Sequence, residues 1–352
     1  MRQIVGWSPS GDIKEALKNI DAKPSLLILY SDKEHFETNV QQLDQLFPGV
    51  PSIAAPVVFY SRSFSEGGLG VCALYGVNAV TGVMRNVSTA PVTDIGELKR
   101  NCNAVSAGID DTVCITMCTG NDACVLATIY GVMRHHGIHL TGGTVRAGLP
   151  VAVNGKVYYD AAAYALVKNL GGRVKVYKEN LYRPVGDQRY IASRTDPSKY
   201  YIGELNGRPA KLVYKELLHI VDDAEVSQRT LRNPFGRIVG KDIFIVSISG
   251  VLGDGLTCYR QVSDSDVLTL LELKDIKTIV QQTVDKIHND MPSVSGILSV
   301  NCVFRQQLFE NNGYLQDYLD EMSFAPHCGF FGYGEHYNGQ FVNQSMSCAV
   351  FE

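Results

Sequence analysis

The chain has 352 residues, 45% hydrophobic and 19% charged, with a formal net charge of -4. This length suits two domains at roughly 100–200 residues each and supports a core that needs neither metals nor disulfides. A weakly acidic balance argues against nucleic-acid binding, which rewards a basic face. The longest apolar run, residues 123–133, is far short of the roughly 20 residues of a membrane span, and no apolar stretch follows Arg2 to make a secretory leader. Nine cysteines, an odd number set mostly in apolar runs, read as buried thiols in a reducing cytoplasm.

In chain order, residues 11–20 have helical character. LLILYS (26–31) is a short apolar run between polar residues and reads as a buried strand. Asp32 can cap a helix running to about residue 46, and 52–60 reads as the next strand. A Ser/Gly loop, SRSFSEGG (61–68), precedes two strands, 70–77 and 80–87, that read as a hairpin. The same plan recurs. DTVCITMCT (111–119) is a strand, Asn121 or Asp122 can cap a helix over 123–136, and IHLTGG is a strand ending at glycines. VAVNGKVYY then places Asn154-Gly155 between two short arms, a strong hairpin signal. Near the end, GILSVNCVF is a strand, 305–322 a helix, HCGFFGYGEHY a strand running into a Gly-rich loop, and FVNQSMSCAVFE a last strand. These are three copies of strand, helix, strand, glycine loop and further strand.

Between the second and third copies the texture changes. YRPVGDQ (182–188) carries Pro and Gly and marks a domain junction within 178–193. Further strand candidates follow, with a helix after Pro209 and another over 275–289. The class expected is α/β (mixed α+β), with mixed sheets covered by helices.

The C-terminal stretch GFFGYGEHYNGQFVNQSMS (329–347) resembles the closing motif of FIST proteins, in which G-x-Y-G-E precedes N-Q-[ST]-M. GELNGRPAKLVY (203–214), NPFG (233–236) and NCVFR (301–305) resemble further segments of that family, with Asn206 where Asp is more usual. TGGTVRAG (141–148) departs from the family's GG-x-A-G-D loop: its Ala-Gly pair comes two residues late and Leu149 follows. The resemblance spans about residues 25–352 and implies an N-terminal FIST domain over 1–185 and a C-terminal one over 186–352. It implies a sensory module for small ligands such as amino acids, with no catalytic reaction, signalling through a separate partner such as a kinase or cyclase. Some bacterial members bind haem and sense nitric oxide.

Arg305 follows a strand end near a helix start, where a guanidinium and free N–H groups suit a carboxylate. Glu335 follows Gly334 in a loop and suits an ammonium, with Tyr333, His336 and Asn343 around it. An ion pair between Arg305 and Glu335 is the structural alternative. Asn206 and Arg208, at a turn before a helix, are further ligand candidates. Cys302 ends a strand ahead of a helix, a setting that lowers a thiol pKa and makes a thiol-dependent enzyme the third reading. His135, His136 and His139 straddle Gly137 and do not share a helical face. A single one, His136 or His139, is the candidate axial ligand if haem is bound. No phosphate loop or dinucleotide fingerprint is present.

Overall fold

A computed structural model describes residues 1–21, 23–64 and 66–352; Ser65 of the expected Ser/Gly loop lies outside them. The chain divides into two compact units. The first comprises Met1–Glu179, Val280–Phe341 and Ser345–Glu352; the second comprises Asn180–Ile279 and Val342–Gln344.

The first unit is built on the three copies. In each, a first strand, a helical connection and a second strand form a parallel crossover: Leu26–Ser31 with Ser52–Pro56, Thr112–Cys118 with His139–Thr144, and Gly296–Cys302 with His327–Gly332. A return strand lies antiparallel on the outer side of each first strand: Leu69–Tyr75, Ala161–Asn169 and Ser345–Phe351. The first strands are buried along their whole length, as expected for parallel strands covered on both faces.

The copies exchange strands in a cycle. Val58–Tyr60 of the first copy pairs with His327–Gly332 of the third. Val151–Val153 of the second pairs with Ser52–Pro56 of the first, and Glu335–Tyr337 of the third pairs with His139–Thr144 of the second. Each sheet is therefore completed by a neighbour, and the three points where the exchanged strands depart lie at the carboxyl ends of the parallel pairs.

The Asn154-Gly155 turn forms as expected, with both residues at positive φ (48° and 77°) and Lys156–Tyr158 folding back on Val151–Val153. Two other expectations are corrected. Leu69–Tyr75 and Val77–Arg85 are strands but not a hairpin: the first pairs with Arg2–Ser8 and Leu26–Ser31, the second with Ala161–Asn169 in a different sheet. A link of one residue, Gly76 at φ 69°, redirects the chain rather than folding it back. The single helix expected over 305–322 is two, Val303–Asn311 and Leu315–Met322, separated at Gly313 (φ 63°). The second of these buries Leu315, Tyr318, Leu319 and Met322, the i, i+3, i+4, i+7 stripe of an amphipathic helix.

The second unit holds a nine-stranded, antiparallel-rich sheet. The helix Ala210–Leu218 follows Pro209 and buries Ala210, Val213 and Tyr214. Among the described residues no helix is long and apolar enough to cross a membrane.

Candidate functional site

A cavity of about 580 Å³ lies in the first unit. Its wall takes Pro56, Val57 and Val58 from the first copy, Arg146 and Leu149 from the second, and Phe331 and Tyr333 from the third. These are the residues at which each exchanged strand departs, so the cavity sits where the carboxyl ends of all three parallel pairs converge. Ligands of α/β folds collect at such ends, and the volume falls in the range of small-molecule pockets.

The wall carries both signs of charge. Asp32 follows the strand Leu26–Ser31 and is 16% exposed at its side chain. Its Oδ1 accepts the backbone N–H of Glu34 (2.8 Å) and His35 (2.9 Å), capping the approach to the helix Phe36–Leu46, and lies 3.1 Å from His35 Nδ1. Arg146, opposite in sign, is exposed and has no ion-pair partner among the described residues. Tyr333 is 48% exposed. Sequence reasoning placed Asp32 only as a cap and passed over Arg146, because neither shows its neighbours until three distant loops meet.

Arg305, Glu335 and Cys302 come together below the cavity wall. Arg305 lies in the first turn of the helix that starts at Val303, itself a wall residue. The guanidinium is fully buried; Nη2 donates to Glu179 Oε1 at 2.5 Å and Nε to Asn301 Oδ1 at 2.9 Å. Its flat face lies over Phe309, 4.8 Å from the ring centroid. Burial alone would lower its pKa, but Glu179, Tyr318 and Glu335 more than offset that and raise it. The ion pair thus forms with Glu179 and not with Glu335, and nothing in the sequence near residue 179 signals it. Glu335 Oε2 accepts the Ser345 N–H (3.1 Å) and hydroxyl (2.8 Å), while burial pushes its pKa up to about 8. The Cys302 thiol bonds the same carboxyl and is buried.

His336 points the other way, because neighbours in a strand face opposite sides. Its Nδ1 lies 2.8 Å from Thr116 Oγ1 and its Nε2 2.7 Å from Asp122 Oδ1, which also accepts the Thr144 hydroxyl at 2.7 Å. This buried set anchors the exchanged strand Glu335–Tyr337 to the second copy. Gly142 and Gly143 serve the same junction. A Cβ on Gly142 would sit 2.2 Å from the Thr116 carbonyl oxygen, and one on Gly143 would sit 2.7 Å from the Gly334 carbonyl oxygen. The two glycines therefore permit close strand approach.

The remaining candidates lie elsewhere. Asn343 belongs to the second unit and is buried there with Oδ1 unpartnered; its neighbour Gln344 donates to Ser247 Oγ (2.8 Å) and the Thr230 carbonyl (3.2 Å). Asn206, at φ 52°, closes a turn by accepting the Ile191 N–H and donating to the Arg189 carbonyl. Arg208 is exposed and grips Glu216, both contacts at 2.8 Å. His136 and His139 border a separate recess of about 420 Å³ with Asp110, Arg134 and Tyr130. His139 Nε2 is taken up by Asp110 at 3.1 Å. A carboxylate and a guanidinium in that wall, with one imidazole nitrogen engaged, do not fit an apolar macrocycle. Among the described residues no group of three or more His, Cys, Asp or Glu could hold a metal ion.

Two family models match the chain: the FIST N domain over residues 25–208 and the FIST C domain over residues 210–338. No curated protein matches it. The two matches together cover most of the chain, which therefore belongs to the FIST family, associated with sensory signal transduction.

Proposed function

We propose that this FIST protein is the ligand-binding element of a sensory pathway, and that its ligand is a small zwitterionic metabolite of the amino-acid class held in the 580 Å³ cavity. The observation that carries this reading is the convergence of three carboxyl-end loops on one cavity that presents an unpaired guanidinium and a mostly buried carboxylate. Arg146 would take the carboxylate of the ligand, since a planar fork matches that geometry. Asp32 would take the ammonium through its second oxygen, which shares the His35 ring nitrogen with the first at 3.2 Å. Val57, Leu149 and Phe331 would surround the side chain. Arg305 and Glu335 hold the wall in this reading and do not touch the ligand. A separate partner such as a kinase or cyclase would read the bound state, because a ligand shifts a population only by binding one state better than another.

A thermal-shift screen of amino acids and related carboxylates tests the proposal, with calorimetry on any hit. A true ligand at a hundred times its dissociation constant adds about 2.7 kcal/mol to stability, and Arg146→Ala should lose that gain with an unchanged melting point in buffer alone. A screen with no shift, or an Arg146→Ala protein that binds as well as its parent, would sink the assignment.

A further inference from the structure

The chain leaves the first unit after Glu179, returns at Val280, leaves again after Phe341 and returns at Ser345. Three residues beside these crossings are tied into the first unit by side-chain hydrogen bonds. Glu179, the last residue before the first departure, is bound to Arg305. Ser345, the first residue after the final return, is bound through both N–H and hydroxyl to Glu335. Gln340, one residue before the second departure, accepts from Lys178 Nζ at 2.7 Å. On the other side, the same two acceptor-and-donor residues sit next to cavity wall. Arg305 is two residues from Val303, and Glu335 is two residues from Tyr333.

We propose that Arg305 and Glu335 are positioning residues that couple occupation of the cavity to the points where the chain crosses between its two units. The proposal rests on the reading of the cavity as the ligand site and specifies how that site is transmitted. A ligand seated against Val303 and Tyr333 displaces the start of one helix and the start of one strand. Each of those segments carries a fully buried charged or polar group whose partner is a crossing residue. In a low-dielectric interior such bonds do not stretch without large penalty, so displacement of the wall is passed on to Glu179 and Ser345 or broken outright. Arg305 Nε also reaches Asn301, whose Nδ2 donates to Tyr60 (2.7 Å) and Tyr318 (2.8 Å). Tyr60 ends the strand that begins at the wall residue Val58, so a third wall segment is tied to the same cluster. Exposed ion pairs elsewhere in the chain lack this stiffness, because solvent takes up any movement.

The test uses a tethered occupant, so it does not depend on the natural ligand. Tyr333→Cys in a Cys124→Ser background places one accessible thiol on the wall, and N-phenylmaleimide attached there fills part of the cavity. Hydrogen exchange is then followed at the backbone amides of residues 179–181 and 345–346. With the cluster intact, labelling should change exchange there by about fivefold or more, the lower end of ordinary coupling strengths. In the same protein carrying Glu335→Ala, which removes the acceptor of both Ser345 bonds, the change at 345–346 should fall below about twofold, with labelling at residue 333 as fast as before. If Glu335→Ala does not fold, Ser345→Ala removes one hydroxyl and no charge, and should halve the response or more. Exchange at the crossings that ignores the tethered group, or that responds equally in the cluster variants, overturns the proposal. A failed amino-acid screen would remove the ligand assignment and leave this result standing.

Discussion

Arg305 in the first unit and Arg208 in the second each hold a glutamate, and the two pairs differ in almost everything else. Arg305–Glu179 has side-chain exposures of 0% and 1%, whereas Arg208–Glu216 has 53% and 50%. The buried guanidinium is further held by Asn301 and two aromatic faces, while the exposed one has water as a standing alternative. The lesson is that residue type and pairing do not set the worth of an ion pair; the solvent it has given up does. A buried charge that loses its partner has nowhere to go, and an exposed one simply rehydrates.

The largest expected effect tests the buried side of this contrast. Arg305→Ala should lower the stability of the first unit by about 3–5 kcal/mol, the usual loss when one member of a buried pair is removed. The sole tryptophan, Trp7, lies in this unit, so its fluorescence in a urea titration reads the transition. A loss below about 1 kcal/mol would place the pair with surface bridges.

Glu335 sharpens the same point through pH. Burial raises its pKa from 4.5 to about 8, so the folded state holds a proton that the unfolded chain releases near 4.5. This contribution is fully present below about pH 4.5 and is lost as pH rises through 8. Glu335→Gln cannot ionise and keeps the shape. Between pH 5 and 9 the parent should lose stability relative to this variant by at least about 1.4 kcal/mol, the equivalent of one pKa unit. A difference that stays flat with pH would mean the carboxyl is charged throughout.

Thiol access gives a third reading of the same burial. None of the nine cysteines is in a disulfide, and Cys124 alone is exposed. One thiol should react promptly in the native protein and all nine in denaturant. Prompt alkylation at Cys302 would show that its buried setting opens and would revive the thiol-enzyme reading. The smallest effect belongs to the exposed pair: Arg208→Ala should cost no more than about 1 kcal/mol and leave the Trp7 transition unmoved.

Much of this architecture was legible before the structure. The copies announced themselves through apolar runs such as LLILYS and DTVCITMCT, because strands buried on both faces need apolar residues along their length; the cap expected from Asn121 or Asp122 does not form, since Asn121 makes no cap bond and Asp122 is taken up by Thr144 and His336. The Asn154-Gly155 hairpin was legible because a tight turn likewise sets a local requirement. The false hairpin at 69–85 shows the limit: strand character is local, but the choice of partner strand is not. Glu335 and His336, read as one cluster, face opposite sides of their strand, and only the identity of the sheets on either side decides what each meets.

The sequence by itself determined the class of fold, the three-copy plan and membership of the FIST family, all of which rest on short-range patterns. The tertiary structure alone decided that the third copy folds with the first two across an intervening unit, that the copies exchange strands in a cycle, and that Arg305 pairs with Glu179, 126 residues away. Those outcomes depend on which distant surfaces exclude water from each other. That is a property of the assembled core, and no stretch of chain carries it alone.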